Sequence, residues 1–216
     1  MRSDRAVLFD LDGVIVDSRE HHMTAWDAWA RVRAPDAPAG YFIDSFGLRN
    51  DAIIGSLFPA ASIDEIQALA AEKEALFRAS AEGRLIALPG VLDLLGWLGE
   101  RAIPRAVVTS TPRANLDFVM RAIDLGGHFQ ALVAGEDTDR GKPDPEGYLR
   151  ASAQLGIPAR RCVVIEDVPA GIEAAKAGGM RAVGVTTTRR AEELRAADLI
   201  VDTLADARVR EFIEQA

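Results

Sequence analysis

Six short apolar runs, none alternating with polar residues, recur along the chain: 6–9 (AVLF), 105–108 (RAVV), 131–134 (ALVA), 162–165 (CVVI), 181–185 (RAVGV) and 199–201 (LIV). Runs this short and continuous predict strands covered on both faces. Helix-length segments separate the later ones, at 91–100, 115–123, 145–155 and 170–177. Strand and helix taking turns predicts an α/β fold, a parallel sheet with helices on both faces.

One interval breaks the alternation. From about residue 18 to 85 the pattern is helical: Trp26, Trp29 and Val32 share one spacing, and Ile66, Leu69, Ala70 and Lys73 another. Pro35, Pro38 and Gly40 interrupt the first helix, Pro59 interrupts a later one, and Leu88-Pro89-Gly90 is the return link. The expected division is an α/β core over 1–16 and 88–216, with a helical insertion over 17–87 placed directly after the first strand. The two tryptophans are expected to pack the insertion's own core.

Composition narrows the classes. A length of 216 residues suits one generous domain or a core carrying a small insertion. A net charge of −8 speaks against nucleic-acid or anionic-membrane surfaces, which need clustered Lys and Arg. Cys162 is the single cysteine, so no intrachain disulfide forms, and beside Val163 and Val164 it reads as a small buried hydrophobe. No run approaches a membrane span, and the apolar run before Asp10 is too short for a signal-peptide core. A reducing cytoplasmic setting is the expectation. Oligomeric state is not legible at this level.

In open parallel sheets, ligands bind beyond the carboxyl ends of the strands. The first strand runs into Asp10-Leu11-Asp12-Gly13, with Asp10 and Asp12 two apart and so pointing the same way along extended backbone. The second leads to Thr109-Ser110-Thr111, the third toward Gly141-Lys142-Pro143, and the fourth to Glu166-Asp167. Singly, these are weak: Thr109 could cap a helix and Lys142 could lie on the surface. Together, Asp10, Asp12, Glu166 and Asp167 would gather four carboxylates at one rim. Like charges so close repel by about 1 kcal/mol per pair in water and by several where water is excluded, so a cation is implied. Carboxylates with one lysine and no His/Cys set point to Mg²⁺.

DLDGVIVDS, VVTS, GKPDP and IEDVPAGIEAAKAGG, in this order, resemble the four motifs of the haloacid dehalogenase superfamily. The insertion resembles that superfamily's small helical cap, as in β-phosphoglucomutase and sugar-phosphate phosphatases. The resemblance implies a Rossmann-like core and assigns roles by position. Asp10 would attack phosphorus and become an aspartyl phosphate. Asp12 would protonate the leaving oxygen and later take a proton from the acceptor. Thr109 would bind phosphoryl oxygens, and Lys142 would hold Asp10 and the phosphate. Asp167 would ligate Mg²⁺ with Asp10 and the carbonyl of Asp12, and Glu166 would position a metal-bound water. The chemistry is coherent: a carboxylate nucleophile splits one hard displacement into two, and a carboxylate neighbour raises the pKa of Asp12 toward the acid form.

The superfamily's dehalogenases lack a carboxylate at the position of Asp12 and the full metal set, so the expected enzyme is an Mg²⁺-dependent phosphatase acting on a small phosphorylated metabolite such as a sugar or polyol phosphate. A β-phosphoglucomutase-like mutase is the alternative. For it speaks EHHMTAW, in which His22 would contact the catalytic acid; against it, Arg49 of FGLRND comes one residue early. His21 and His22 read equally as hinge packing, and Arg49 as a substrate contact or a solvated cap residue. Ser110 joins His22 and Arg49 as a substrate-binding expectation. An inactive binding module has little support, since no catalytic position is missing, and a short phosphorylatable regulatory domain would not carry the insertion.

Overall fold

In the computed structural model, which describes residues 3–216, the six apolar runs are six strands of one sheet: β1 (Ala6–Phe9), β2 (Arg105–Val108), β3 (Ala131–Val133), β4 (Cys162–Glu166), β5 (Arg181–Val185) and β6 (Leu199–Val201). Their order is β3-β2-β1-β4-β5-β6, and every pairing is parallel. The expected fold class is present. β1 is fully buried, and its side chains divide by the period of two: Val7 and Phe9 join the core on one face, Ala6 and Leu8 that on the other.

The insertion carries α1 (Arg19–Arg33), α2 (Tyr41–Asp44), α3 (Asn50–Leu57) and α4 (Ile63–Ala81). α4 opens on a capping box between Ser62 and Glu65. Trp26, Trp29, Ile53 and Ile54 form a separate apolar cluster there, and the Trp29 indole N–H donates to the Leu69 carbonyl at 3.0 Å. Five helices flank the sheet: α5 (Val91–Glu100), α6 (Arg113–Ala122), α7 (Glu146–Leu155), α8 (Pro169–Ala177) and α9 (Ala207–Glu214). α6 begins two residues earlier than the periodicity predicts, because Pro112 takes an extended conformation at its N-cap. α8 begins one residue earlier, at a proline whose fixed φ suits a first helical position. α9 was not anticipated.

The insertion leaves and re-enters side by side. Val16 and Ala87 form an antiparallel bridge, Asp17 N donates to Ile86 O at 3.2 Å and Leu88 N to Ile15 O at 2.9 Å. Among the described residues no helix is long and apolar enough to cross a membrane.

Candidate active site

Strand order reverses between β1 and β4, so the connections leave in opposite directions and open a crevice beyond the carboxyl ends. Register does the rest. Phe9 pairs with Val107 on one side and Ile165 on the other, which sets Asp10 beside the ends of β2 and β4. Asp10, Thr109, Glu166 and Asp167 arrive together and are all buried.

Lys142 reaches in from the loop after β3. Its Nζ lies 2.5 Å from Asp10 Oδ1 and 2.5 Å from Glu166 Oε1. Burial alone would lower its pKa, but Asp10 and Glu166 hold the ammonium above the ordinary range. Tyr148 donates its hydroxyl to Glu166 Oε1 at 2.6 Å, and Glu166 Oε2 accepts from Asp167 N at 3.1 Å. Burial pushes Asp10 up to about 7, with Lys142 opposing and Glu166 and Asp12 adding to the rise.

Asp167 is different. Its two carboxylate oxygens are buried and are the only such side-chain atoms without a hydrogen-bond partner among the described residues. Burial, then the charges of Glu166 and Asp10, drive its pKa well above the carboxylate range. Asp10, Glu166 and Asp167 each offer an oxygen within 4.8 Å of the others. Orphaned buried carboxylate oxygens in an all-oxygen set fit a hard divalent cation such as Mg²⁺.

Asp12 points away from that set. Its Oδ1 accepts from Ser18 Oγ at 2.6 Å and faces His22 Nε2 at 3.4 Å, and its Oδ2 accepts from Thr111 Oγ1 at 2.7 Å. The side chain therefore takes no part in the carboxylate cluster of Asp10, Glu166 and Asp167. The expected rise of its pKa is also reversed. Burial favours the neutral form, but the proximity and hydrogen bond of His22, with the hydrogen bonds from Ser18 and Thr111, hold Asp12 below the ordinary range.

The pocket over Asp10 and Asp12 is closed by the insertion, through His22, Trp26, Phe46, Asn50, Lys73 and Glu74. Trp26 thus serves both the insertion's core and the pocket wall. His21 faces Ser80 at 3.1 Å instead. Ser110 lines the pocket, but its hydroxyl donates to the Gly47 carbonyl at 3.1 Å, joining core to insertion. Arg49 does not line this pocket: its Nη1 donates to Thr138 O at 2.8 Å and its Nη2 pairs with Asp51 at 2.8 Å.

Spacing missed the buried pair Lys73–Glu74, 2.8 Å apart. Lys73 Nζ also lies 2.8 Å from His22 Nδ1, and the His22 ring stacks on Phe77. Burial lowers the Lys73 pKa against the pull of Glu74, while Glu74 is held low, despite its own burial, by Lys73 and His22. A signal did exist. Lys73 continues the inward stripe of Ile66, Leu69 and Ala70, and a charge on such a stripe needs a partner.

A family profile described as haloacid dehalogenase-like hydrolase matches residues 5–179. The chain is 35% identical to validoxylamine A 7'-phosphate phosphatase of Streptomyces hygroscopicus subsp. limoneus, over 94% of this chain and 96% of the relative. It is 32% identical to hexitol phosphatase A of Escherichia coli K12, over 93% and 91%. It is 30% identical to β-phosphoglucomutase of Bacillus subtilis strain 168, over 94% and 91%.

Proposed function

The chain belongs to the haloacid dehalogenase-like hydrolases, and from that premise we propose that it is a phosphatase releasing inorganic phosphate from a small sugar or polyol phosphate, with Asp10 as nucleophile. Asp10 attacks phosphorus, the ester P–O bond breaks, and Asp12 gives its proton to the departing oxygen. Water then attacks the aspartyl phosphate and gives a proton to Asp12, which frees the Asp10 carboxylate and phosphate. The low pKa of Asp12 suits the second half, where a base is needed. The charge of a bound phosphoryl group raises it toward the acid form for the first half. Thr109 meets the phosphoryl oxygens, and Lys142 stays charged to orient Asp10. Asp10, Asp167, Glu166 and the Asp12 carbonyl would hold Mg²⁺, which supplies positive charge where the transferring group gathers negative charge.

One observation favours a phosphatase over a mutase. A phosphosugar mutase must hold a bisphosphate, and so needs a second anion site across the pocket. On that wall Lys73 is already paired with Glu74, and Arg49 lies outside the pocket, turned toward Thr138 and Asp51. A wall of Glu74, Asn50 and a neutralised lysine suits hydroxyls better than a second phosphate. The mutase is the second reading, favoured by the His22–Asp12 contact. The lone cysteine supports a reducing, cytoplasmic setting. The deciding experiment is a panel of sugar and polyol phosphates with Mg²⁺, following phosphate release and isomer formation in parallel. Release without isomer is expected; isomer without release would establish the mutase.

A further inference from the structure

Asn115 lies on the third residue of α6, in the core, and is fully buried. Both ends of its side-chain amide are used by α4, from the insertion. Its Oδ1 accepts from Arg78 Nη1 at 2.5 Å, and its Nδ2 donates to Glu74 Oε2. Glu74 and Arg78 are four apart, one helical turn, so they grip one amide from the same helix face.

The contact continues inward. Glu74 Oε1 accepts from Asn50 Nδ2 at 2.6 Å and from Lys73 Nζ at 2.8 Å. The Lys73 ammonium in turn faces His22 Nδ1 at 2.8 Å, so Nδ1 accepts and the ring proton sits on Nε2, directed at Asp12. Thr111, four residues before Asn115, donates to the other Asp12 oxygen. These side chains, together with the backbone from Thr111 to Asn115, therefore close a ring from the start of α6 through α4 and α1 to Asp12. The ring crosses between core and insertion twice, at Asn115–Glu74 and at His22–Asp12, and it is complete only when the insertion is seated.

Stability does not account for this arrangement. A buried ion pair such as Lys73–Glu74 is often no better for folding than apolar residues of similar volume, because desolvation offsets the attraction. What the ring provides is placement. We propose that Asn115 is a positioning residue, the core-side latch that seats the insertion through Glu74 and Arg78 and so fixes His22 against Asp12. The inference rests on Asp12 acting as the general acid of a phosphatase.

The test uses two esters and a charge swap. The leaving group of p-nitrophenyl phosphate departs with little protonation, whereas sorbitol 6-phosphate releases an alkoxide that needs the Asp12 proton. Asn115→Asp sets a carboxylate against Glu74. It should lower kcat on sorbitol 6-phosphate by about 30-fold, part of the ~10²–10⁴ that general acid catalysis supplies, and change turnover of the aryl ester by less than about 3-fold. Hydrogen exchange at the linkers 16–18 and 86–88 should rise as the insertion unseats. The double variant Asn115→Asp/Glu74→Gln restores one donor facing one acceptor at the same net charge, so both readouts should return toward wild type. Arg78→Met, which removes the donor to Asn115 Oδ1 and lies outside the pocket lining, is the milder route to the same selective loss should Asn115→Asp fail to fold. Equal loss on both esters, unchanged linker exchange, or no rescue in a folded double variant overturns the latch. A wild type that hydrolyses neither ester would overturn the phosphatase reading instead, and the exchange measurements would still judge the latch.

Discussion

A methyl group on Gly13 would stand 2.1 Å from Asp167 Oδ2, so the turn that ends β1 and the carboxylate that follows β4 occupy one space. Gly13 also has φ +81°, a conformation that costs other residues energy. Thr187 Oγ1 donates to its carbonyl, which ties the turn to the loop after β5. Gly13→Ala should displace Asp167 and weaken Mg²⁺ binding by at least about 10-fold, in the range of changes that misplace a metal ligand. Calorimetric titration of chelator-stripped protein with Mg²⁺ checks this. Wild-type affinity in the variant would mean that the metal does not need Asp167 where it stands.

Asp10→Asn should abolish turnover, because an amide cannot form the acyl phosphate. Its effect on stability depends on pH. With a folded pKa raised to about 7, Asp10 keeps its proton in the folded protein where the unfolded chain has lost it. The stability this confers is present in full below the ordinary carboxylate pKa of about 4 and is lost as pH rises through about 7. In chelator, then, the melting temperature of Asp10→Asn should gain on wild type as pH goes from 5 to 8. The opposite trend would show that pairing with Lys142 outweighs burial.

Lys142 is the only cation within salt-bridge distance of Asp10 or Glu166 among the described residues. Lys142→Ala strands both carboxylates, and breaking a buried pair from one side typically costs about 3–5 kcal/mol. Urea unfolding in chelator at pH 8, above the folded pKa of Asp10 of about 7, should show a loss of that order, with phosphatase activity undetectable. A loss under about 1 kcal/mol, as for an exposed pair, would mean that the two carboxylates are not ionised together.

Arg49 docks the insertion on the Thr138 carbonyl, in the loop that leads to Lys142. Arg49→Ala should therefore shift kcat and KM together, as hinge and closure variants do, and leave the ranking of a sugar-phosphate panel unchanged. Selective loss of substrates with a second anionic group would return Arg49 to the pocket as a substrate contact.

The sheet and its chemical rim were legible from the residues. Buried parallel strands are short continuous apolar runs, and the residue just past each run must stand at the carboxyl edge whatever packs elsewhere. That is why Asp10, Asp12, Thr109, Lys142, Glu166 and Asp167 could be named from local pattern and motif order, and why β1, β2, β5 and β6 match the expected bounds. The insertion's helices could be read as helices for the same local reason. Their facing could not. Whether Arg49 meets substrate or Thr138, and whether Asn115 and Glu74 meet at all, depends on how α4 is seated against α6, and residues 41 apart carry no spacing rule that sets this. The charge state of Asp12 is of the same kind. A carboxylate neighbour in sequence suggests a raised pKa, yet Ser18 and His22 from the start of α1 and Thr111 from the loop after β2 converge on it and reverse the sign. Periodicity reports which face of an element is apolar; which polar groups meet across a buried boundary is settled by packing, because desolvation makes each unpaired group there costly.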